Sequence, residues 1–221
     1  MDLVARPVKP PRKDGAPARK TRRERAEETR DRMIAAAHEA FVERGYAGTR
    51  MADIADAAGV AVQTLYFSFH TKGELLQACF DRAVLGDEGL PPQLQPWWDE
   101  MVRAPDGPTL LAHFVRGNAE ILRRVGRLEE VVRAASHEPD VLAVHTETER
   151  LRREGYGQVI AALARFGLQR ELSRERATDV LMTMAGPLVY ATFVVDHGWT
   201  HRQYLAWQTT ALVRLLMPNS R

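Results

Sequence analysis

Apolar residues recur at helical spacing from about residue 20 onward, and the first two runs are separated by clear stop signals. The first run ends at Arg44, because Gly45 is well placed just beyond its last turn. Its apolar stripe consists of Met33, Ile34, Ala37 and Phe41. Thr49 is a natural N-cap for the second run, which Gly59 ends. The apolar positions of that second run are Met51, Ile54, Ala55 and Ala58. The pattern thus predicts a long helix followed by a two-turn helix.

A third run begins only three residues after the second and repeats its spacing. The side chains predicted to face the first two helices are Val62, Leu65, Tyr66 and Phe69. Two short amphipathic helices joined by a turn that contains Gly59 form a helix-turn-helix. A capping box of the form T-x-x-E, Thr71 to Glu74, then opens a fourth helix that extends to Val84.

The pattern stays helical beyond a break at residues 86–96, and no alternating strand pattern occurs. The further predicted helices are 97–103, 109–125, 127–136, 140–166, 174–196 and 201–217. The sequence therefore predicts an all-α protein in three parts. These are a disordered basic arm at residues 1–20, a three-helix helix-turn-helix head at residues 21–80, and a larger helical body at residues 81–221.

The excess of positive charge is concentrated at the N-terminus. Of the 221 residues, 45% are hydrophobic and 27% are charged, as in ordinary soluble globular proteins. The net charge is only +2, yet residues 1–25 hold nine basic and three acidic side chains. Four of the first 17 residues are proline, so we expect an arm without fixed structure that is attracted to a polyanion.

The sequence carries little sign of export or membrane insertion. The single cysteine, Cys79, suits a reducing cytoplasm. The basic N-terminus is not followed by an apolar stretch, so we expect no signal peptide. The longest apolar run, residues 181–195, is shorter than the roughly 18 to 20 residues that span a bilayer, and Pro187 interrupts it. We therefore expect a cytoplasmic protein without a membrane anchor.

The outward side of the third helix carries the candidate DNA contacts. These side chains are Ala61, Gln63, Thr64, Phe67 and Ser68. A helix enters the major groove only if its leading side chains are compact and offer donors and acceptors to base edges. Gln63 can pair with an adenine, and Thr64 can contact a base or a thymine methyl group. Lys72, at the start of the fourth helix, is placed to bind a phosphate, and Arg50 is a further candidate.

Three ordered motifs in this region resemble the N-terminal domain of the tetracycline-repressor (TetR) family. They are Phe41-x-x-x-Gly45-Tyr46-x-x-Thr49, Ile54-Ala55-x-x-Ala58-Gly59-Val60 and Thr64-Leu65-Tyr66-x-x-Phe69-x-x-Lys72-x-x-Leu75-Leu76. The resemblance spans roughly residues 26–80. It implies a homodimer that binds double-stranded operator DNA through the third helix, with Thr49 and Tyr66 near phosphates and Lys72 on one.

The body is expected to dimerise and to sense a small molecule. Helices 174–196 and 201–217 are apolar enough to need a partner surface, which a second subunit would supply. The resemblance implies that the same two helices build a four-helix dimer interface. Aromatic and methionine side chains could line a pocket for a small-molecule effector, although plain core packing is the commoner reason for such residues at helical spacing. The candidates are Trp97, Trp98, Met101, Phe114, Tyr156, Met182, Tyr190 and Phe193, with Asn118, Arg123 and Arg152 as polar groups.

Enzymatic and metal-binding motifs are missing from the sequence. It has no H-E-x-x-H, P-loop or G-x-S-x-G motif and no pair of cysteines. His197 and His201 are four residues apart, but Gly198 and Thr200 separate them. We therefore expect no catalytic residues, no metal and no cofactor. Two functions stay open: an operator-binding repressor released by an effector, and a constitutive DNA-binding or scaffolding dimer without small-molecule input.

Overall fold

The computed structural model describes residues 21–218, and the predicted basic arm at residues 1–20 lies outside them. The described part is built from α-helices and short helical turns and contains no strand, which confirms the all-α prediction. The helices are α1 (Arg22–Arg44), α2 (Met51–Ala58), α3 (Val62–Ser68), α4 (Lys72–Leu85), α5 (Pro96–Val102), α6 (Gly107–Ala134), α7 (Pro139–Leu163), α8 (Arg174–Met184), α9 (Pro187–Ala191) and α10 (His201–Leu216).

The first three helices form a small head, whose apolar core continues into α4, α6 and the start of α7. Its buried side chains include Met33, Ile34, Ala37, Phe41, Ile54, Ala55, Leu65 and Phe69. Gly45 and Gly59 end α1 and α2 with φ angles of 70° and 65°, a conformation that glycine adopts without strain. These glycines allow the sharp turns that fold α2 and α3 back against α1.

The helix α1 begins with a capping box that the hydrophobic pattern did not reveal. The side chain of Thr21 accepts a hydrogen bond from the Glu24 backbone N–H at 3.2 Å, and the Glu24 carboxylate accepts one from the Thr21 N–H at 2.7 Å. Both bonds satisfy backbone donors that the first helical turn leaves open. The helix therefore starts at a defined residue directly after the basic arm.

The helix α4 runs continuously from the head into the body. Thr71 caps its first turn by accepting a hydrogen bond from the Glu74 N–H at 3.0 Å. The predicted capping box is only half formed, because the Glu74 carboxylate accepts from the His70 N–H and not from that of Thr71. At its other end, Arg124 of α6 donates hydrogen bonds to the carbonyl oxygens of Ala83 and Val84 at 2.6 and 3.3 Å. The domain boundary placed at residue 80 thus falls inside a helix that both parts share.

A second contact joins the head to the N-terminal end of α7. The Tyr46 hydroxyl donates a hydrogen bond to the Asp140 carboxylate at 3.4 Å. Gly73, in the first turn of α4, lies so close to Asp140 that a Cβ atom there would come within 2.9 Å of the Asp140 Cβ. The start of α7 therefore rests directly on the turn after α1 and on the start of α4.

The body is organised around α6, which packs against α4, α5, α7, α9 and α10. A second apolar cluster fills the space between α5, α6, α7, α8 and α10. Its fully buried members include Met101, Leu110, Leu111, Val159, Ile160, Leu163, Ala177, Leu181 and Leu212. The long α6 thereby supports both the head connection and the remainder of the body.

The helix boundaries differ from the predicted ones at two places. Helices 109–125 and 127–136 are a single helix, because Gly126 is accommodated in the middle of α6 at the cost of about 1 kcal/mol that an internal glycine carries. Helix 174–196 is instead divided. Gly186 has an extended backbone, and Pro187, which lacks an N–H, starts the new helix α9. A π-helical turn, Thr192–Asp196, follows.

The stretch Arg174–Asp196 is long and apolar enough to cross a membrane by length and composition alone. This is weak evidence for insertion, since core helices of soluble proteins meet the same criteria. The break at Gly186 and Pro187 divides the stretch between α8 and α9. Much of its apolar surface is uncovered in the single chain, and Leu188 and Val195 are each 63% exposed.

Candidate functional site

The helix-turn-helix presents α3 at the surface of the head. The N–H of Gly59 bonds back to the carbonyls of Ala55 and Asp56, which closes α2 and directs the chain into α3 three residues later. Leu65 is fully buried and Phe69 is 2% exposed, so these two side chains anchor α3 to the head. The opposite side of the helix is left free for contact with another molecule.

The free side of α3 carries no charged residue, and its side chains are smaller near the start of the helix than near its end. The exposed side chains are Ala61, Gln63, Thr64, Tyr66 and Phe67. Phe67 is 86% exposed. Ser68 is half-buried, and its hydroxyl donates to the Thr64 carbonyl at 3.1 Å. Of the predicted DNA contacts on α3, all except Ser68 therefore face solvent.

Tyr66 does not face the head core, so this part of the prediction is wrong. Its side chain is 47% exposed, whereas Leu65 and Phe69 are buried and Val62 packs against the core as a half-buried residue. The exposed ring agrees with the role near a phosphate that the resemblance implied. That role stays a prediction.

Thr49 is not the N-cap of α2, and its side chain is buried. The cap residue is Arg50, which makes no side-chain capping hydrogen bond. The Thr49 hydroxyl lies 2.7 Å from the Gly45 carbonyl oxygen and 3.0 Å from that of Ala40, and it donates its one proton to either of them. It therefore fixes the turn between α1 and α2 and is not free to bind a phosphate in this conformation.

The two candidate cations are already engaged within the head. The Lys72 ammonium donates to the carbonyls of Tyr46 and Thr49 at 2.9 and 3.2 Å and lies 4.1 Å from the centre of the Tyr46 ring. Arg50 forms a two-point ion pair with Asp53, at 2.7 and 3.1 Å, which raises the pKa of Arg50 and lowers that of Asp53. Lys72 thus stabilises the turn before α2, and the charge of Arg50 is neutralised by Asp53.

A cavity of about 420 Å³ lies in the body between α4, α5, α6 and α7. We call it the body cavity. Its walls are mainly apolar and include Phe80, Val84, Leu85, Pro91, Pro92, Trp97, Trp98, Phe114, Ile121, Leu122, Val125, Leu151 and Tyr156. The volume and the apolar lining with a few polar groups are typical of a small-molecule site.

Polar groups of the cavity wall form two sets. The Tyr156 hydroxyl donates a hydrogen bond to Asn118 and also lies within hydrogen-bond distance of the Ala185 carbonyl, at 2.9 and 2.8 Å, and burial raises the pKa of Tyr156 to about 12. Arg152 contacts Glu149 closely and Glu129 at 3.5 Å. The first set ties α6, α7 and α8 together, and the second places charge on the wall.

The predicted ligand residues divide evenly between the cavity and the core. Trp97, Trp98, Phe114 and Tyr156 line the cavity, as do the polar candidates Asn118 and Arg152. Four others do not line it: Met101, Met182, Tyr190 and Phe193. Met101 and Met182 pack with the second apolar cluster, while Tyr190 and Phe193 contact aromatic rings of α10. Arg123 instead pairs with Glu120 at 2.9 Å.

Several cavity residues were missed from the sequence. Phe80 and Val84 on α4 were assigned to the core of the fourth helix, although their i, i+4 spacing placed both on one side of it. Glu129 and Thr148 were overlooked because single polar residues on a helix are usually solvent-exposed. Their shared location became visible only when the fold brought α4, α6 and α7 together.

The head matches a known family of proteins. Residues 33–79 fit the family model described as bacterial regulatory proteins, tetR family. The HTH-type transcriptional regulator TtgR of Pseudomonas putida is 49% identical over 59 residues. That stretch covers 27% of this chain and only 28% of the relative, so this chain matches little more than a quarter of the relative's length.

Two solved structures share the fold over most of the chain. NalD of Pseudomonas aeruginosa, the secondary repressor of the MexAB-OprM multidrug efflux pump, has a TM-score of 0.67 and covers 88% of this chain and all of that one at 20% identity. FadR of Bacillus subtilis, a transcriptional regulator crystallised with stearoyl-CoA, has a TM-score of 0.66 and covers 83% and 97% at 17% identity. At these identities the likeness establishes the fold alone. The proteins matched are regulators of transcription and not enzymes, in agreement with the prediction.

Proposed function

We propose that this chain, whose head belongs to the tetR family of bacterial regulatory proteins, is a DNA-binding transcription regulator. In detail, the chain is proposed to be a homodimeric cytoplasmic repressor that binds a palindromic operator. A small molecule would release it from this DNA. The observation that carries the proposal is the free, uncharged side of α3 on a helix-turn-helix. Gln63 and Thr64 lead that side and are both exposed, as base contacts require.

Dimerisation is supported by the uncovered apolar surface at the C-terminal end of the body. The exposed apolar side chains there are Leu188, Val195 and Leu215. Val180, Met184 and Val213 on α8 and α10 are only half-buried. A second copy would cover this surface and would place two α3 helices on one side of the molecule, where a palindrome with half-sites about 34–36 Å apart could accept them.

Effector control is supported by the position of the body cavity. Phe80 and Val84 of α4 form part of its wall, and the same helix begins in the head directly after α3. Tyr156 and Leu151 of α7 form another part, and the first turn of α7 contacts Tyr46 of the head. A ligand that moves α4 or α7 would therefore shift the head relative to the body and change the separation of the two recognition helices.

A gel-shift experiment tests this proposal. The purified full chain is titrated against the DNA upstream of its own gene and against a duplex of shuffled sequence, and both titrations are repeated with small hydrophobic compounds. We expect binding to the upstream fragment that is at least about a hundredfold tighter, and release by some compounds. Equal affinity for both duplexes would overturn the proposal that the chain is a sequence-specific regulator. Sequence-specific binding that no compound weakens would favour the constitutive DNA-binding dimer.

A further inference from the structure

The charges on the wall of the body cavity are unbalanced. Among its lining residues, the carboxylates of Asp81, Glu129 and Glu154 face one guanidinium, that of Arg152. Glu154 pairs with Arg150 at 2.6 Å, and Asp81 is exposed to solvent. Glu129 is different, because its side chain is only 17% exposed and the cation with which it pairs is Arg152.

The cation that pairs with Glu129 is shared with another carboxylate. Arg152 contacts Glu149 much more closely than Glu129, which it reaches at 3.5 Å. The three side chains together carry one net negative charge, and Arg152 and Glu129 are only 12% and 17% exposed. A buried carboxylate without a full partner is costly, so the cavity leaves room for one more positive charge.

The rest of the cavity wall is largely aromatic, which suits the apolar part of an organic cation. Five aromatic side chains surround the space: Phe80, Trp97, Trp98, Phe114 and Tyr156. The faces of such rings attract organic cations, most strongly where water is excluded. Thr148 adds a buried hydroxyl that has no hydrogen-bond partner within the described part of the chain and can serve a polar group of the ligand.

An anionic ligand would fit poorly. A carboxylate or phosphate could reach Arg152 only by competing with Glu129 and Glu149 for the same guanidinium. That exchange would leave one or both of these carboxylates without a cation in a partly buried place, and like charges would face each other across the cavity. The wall therefore discriminates between ligands by the sign of their charge.

We propose that the body cavity binds lipophilic organic monocations, with the Glu129 carboxylate as the countercharge and the aromatic side chains as the walls. The inference rests on the proposed function only in taking this cavity as the effector site. The Glu129 carboxylate selects ligands with a positive charge, and the shape of the cavity selects among such cations.

Two probe ions of nearly equal size and opposite charge test the proposal. Tetraphenylphosphonium and tetraphenylborate each carry four phenyl rings around one atom, and their binding to the full chain is measured by calorimetry. We expect the cation to bind at least about tenfold more tightly than the anion. In Glu129→Gln the affinity for the cation should fall about tenfold, whereas Glu130→Gln, an exposed neighbour on α6, should leave it unchanged.

The outcomes separate this inference from the proposed function. Equal or tighter binding of the anion, no binding of either ion, or an unchanged cation affinity in Glu129→Gln would each overturn it. Thermal unfolding checks that Glu129→Gln is folded, and if it is not, the comparison of the two ions on the unaltered chain decides. Glu129-dependent binding of the cation without any change in DNA affinity would support the cation site and count against effector release. If only an anion released the DNA, effector release would be supported and the cation site would be overturned.

Discussion

We propose that the exposed residues of α3 read the DNA sequence. Gln63 and Thr64 stand at the start of the helix, and neither the amide nor the hydroxyl is used in a bond that the described structure contains, unlike the hydroxyl of Ser68. A side chain that is not already satisfied within the head can exchange water for a base edge at little cost. The proposal therefore assigns the choice of operator to these two residues.

Gln63→Ala or Thr64→Ala should weaken binding to the best operator by about 1–3 kcal/mol and relax the preference at particular base pairs, because each removes one base contact. Fluorescence anisotropy on a set of single-base operator variants measures both effects. Thr146→Ala, an exposed threonine on α7, is the matched control and should bind as the unaltered chain does. A uniform loss on every sequence would show that the two side chains do not read bases.

Lys72 contributes to the stability of the head as well as to its charge. Lys72→Met removes two hydrogen bonds to carbonyl groups and a cation–π contact with Tyr46, so we expect unfolding to cost about 1–2 kcal/mol less. Thermal unfolding should show a melting temperature lower by several degrees. Arg127→Met, at an exposed site on α6, should have little effect. Equal melting temperatures for both variants would contradict this stabilising role.

At the scale of helices, the connection between α6, α7 and α8 at Tyr156 is sensitive to alkaline pH. Burial raises the pKa of Tyr156 to about 12, from 10.0 for a free phenol. The unfolded phenol loses its proton first as the pH rises, so the stabilisation present below pH 10 is lost as the pH approaches 12. Because the pKa rises from 10.0 to about 12, the loss from this one group is about 3 kcal/mol.

Urea unfolding at pH 8 and at pH 11 measures this loss. We expect the free energy of unfolding to fall between the two values, and the fall to be smaller in Tyr156→Phe, which has no proton to lose. The variant also loses the hydrogen bonds to Asn118 and Ala185 and should be less stable at pH 8. An identical pH dependence in both proteins would show that Tyr156 does not titrate as burial requires.

Helices with local stop signals could be predicted, whereas their contacts could not. Gly45, Gly59 and the Thr71 N-cap gave the boundaries of the head helices, because each acts within one turn. Gly126 was misleading, since a glycine inside a well-packed helix costs only about 1 kcal/mol, which packing along α6 can offset. The capping box of Thr21 and Glu24 was present in the sequence and could have been found.

The cavity shows where prediction from sequence reaches its limit. Trp97 and Phe114 line it, but Tyr190 and Phe193, which have the same aromatic chemistry, pack on α10. Which side of a helix meets a cavity depends on how that helix is rotated against its neighbours, and local periodicity does not fix that rotation for a helix that is apolar nearly all round. The engagement of Lys72 with the turn before α2 was hidden because it too depends on how separate helices pack together.

The whole molecule is expected to work as a pair. Replacing Leu188 and Leu215 together by Asp places charge on the uncovered apolar surface, which should convert the dimer into monomers. Light scattering after gel filtration measures the mass. Leu142→Asp, on α7 and 51% exposed, is the control and should stay dimeric. Monomers formed by the unaltered chain at micromolar concentration would contradict the dimer.

Coupling between the cavity and the DNA is the central claim for the whole molecule, and it is reciprocal by thermodynamic necessity. If an effector weakens operator binding a hundredfold, the coupling free energy is about 2.7 kcal/mol, and the operator must weaken the effector by the same factor. The direct measurement is calorimetry of a compound that releases DNA in the gel-shift screen, with and without saturating operator. We expect two affinities that differ by the factor found in the gel shift. Equal affinities would contradict the account, because the cavity and the recognition helices would then act independently.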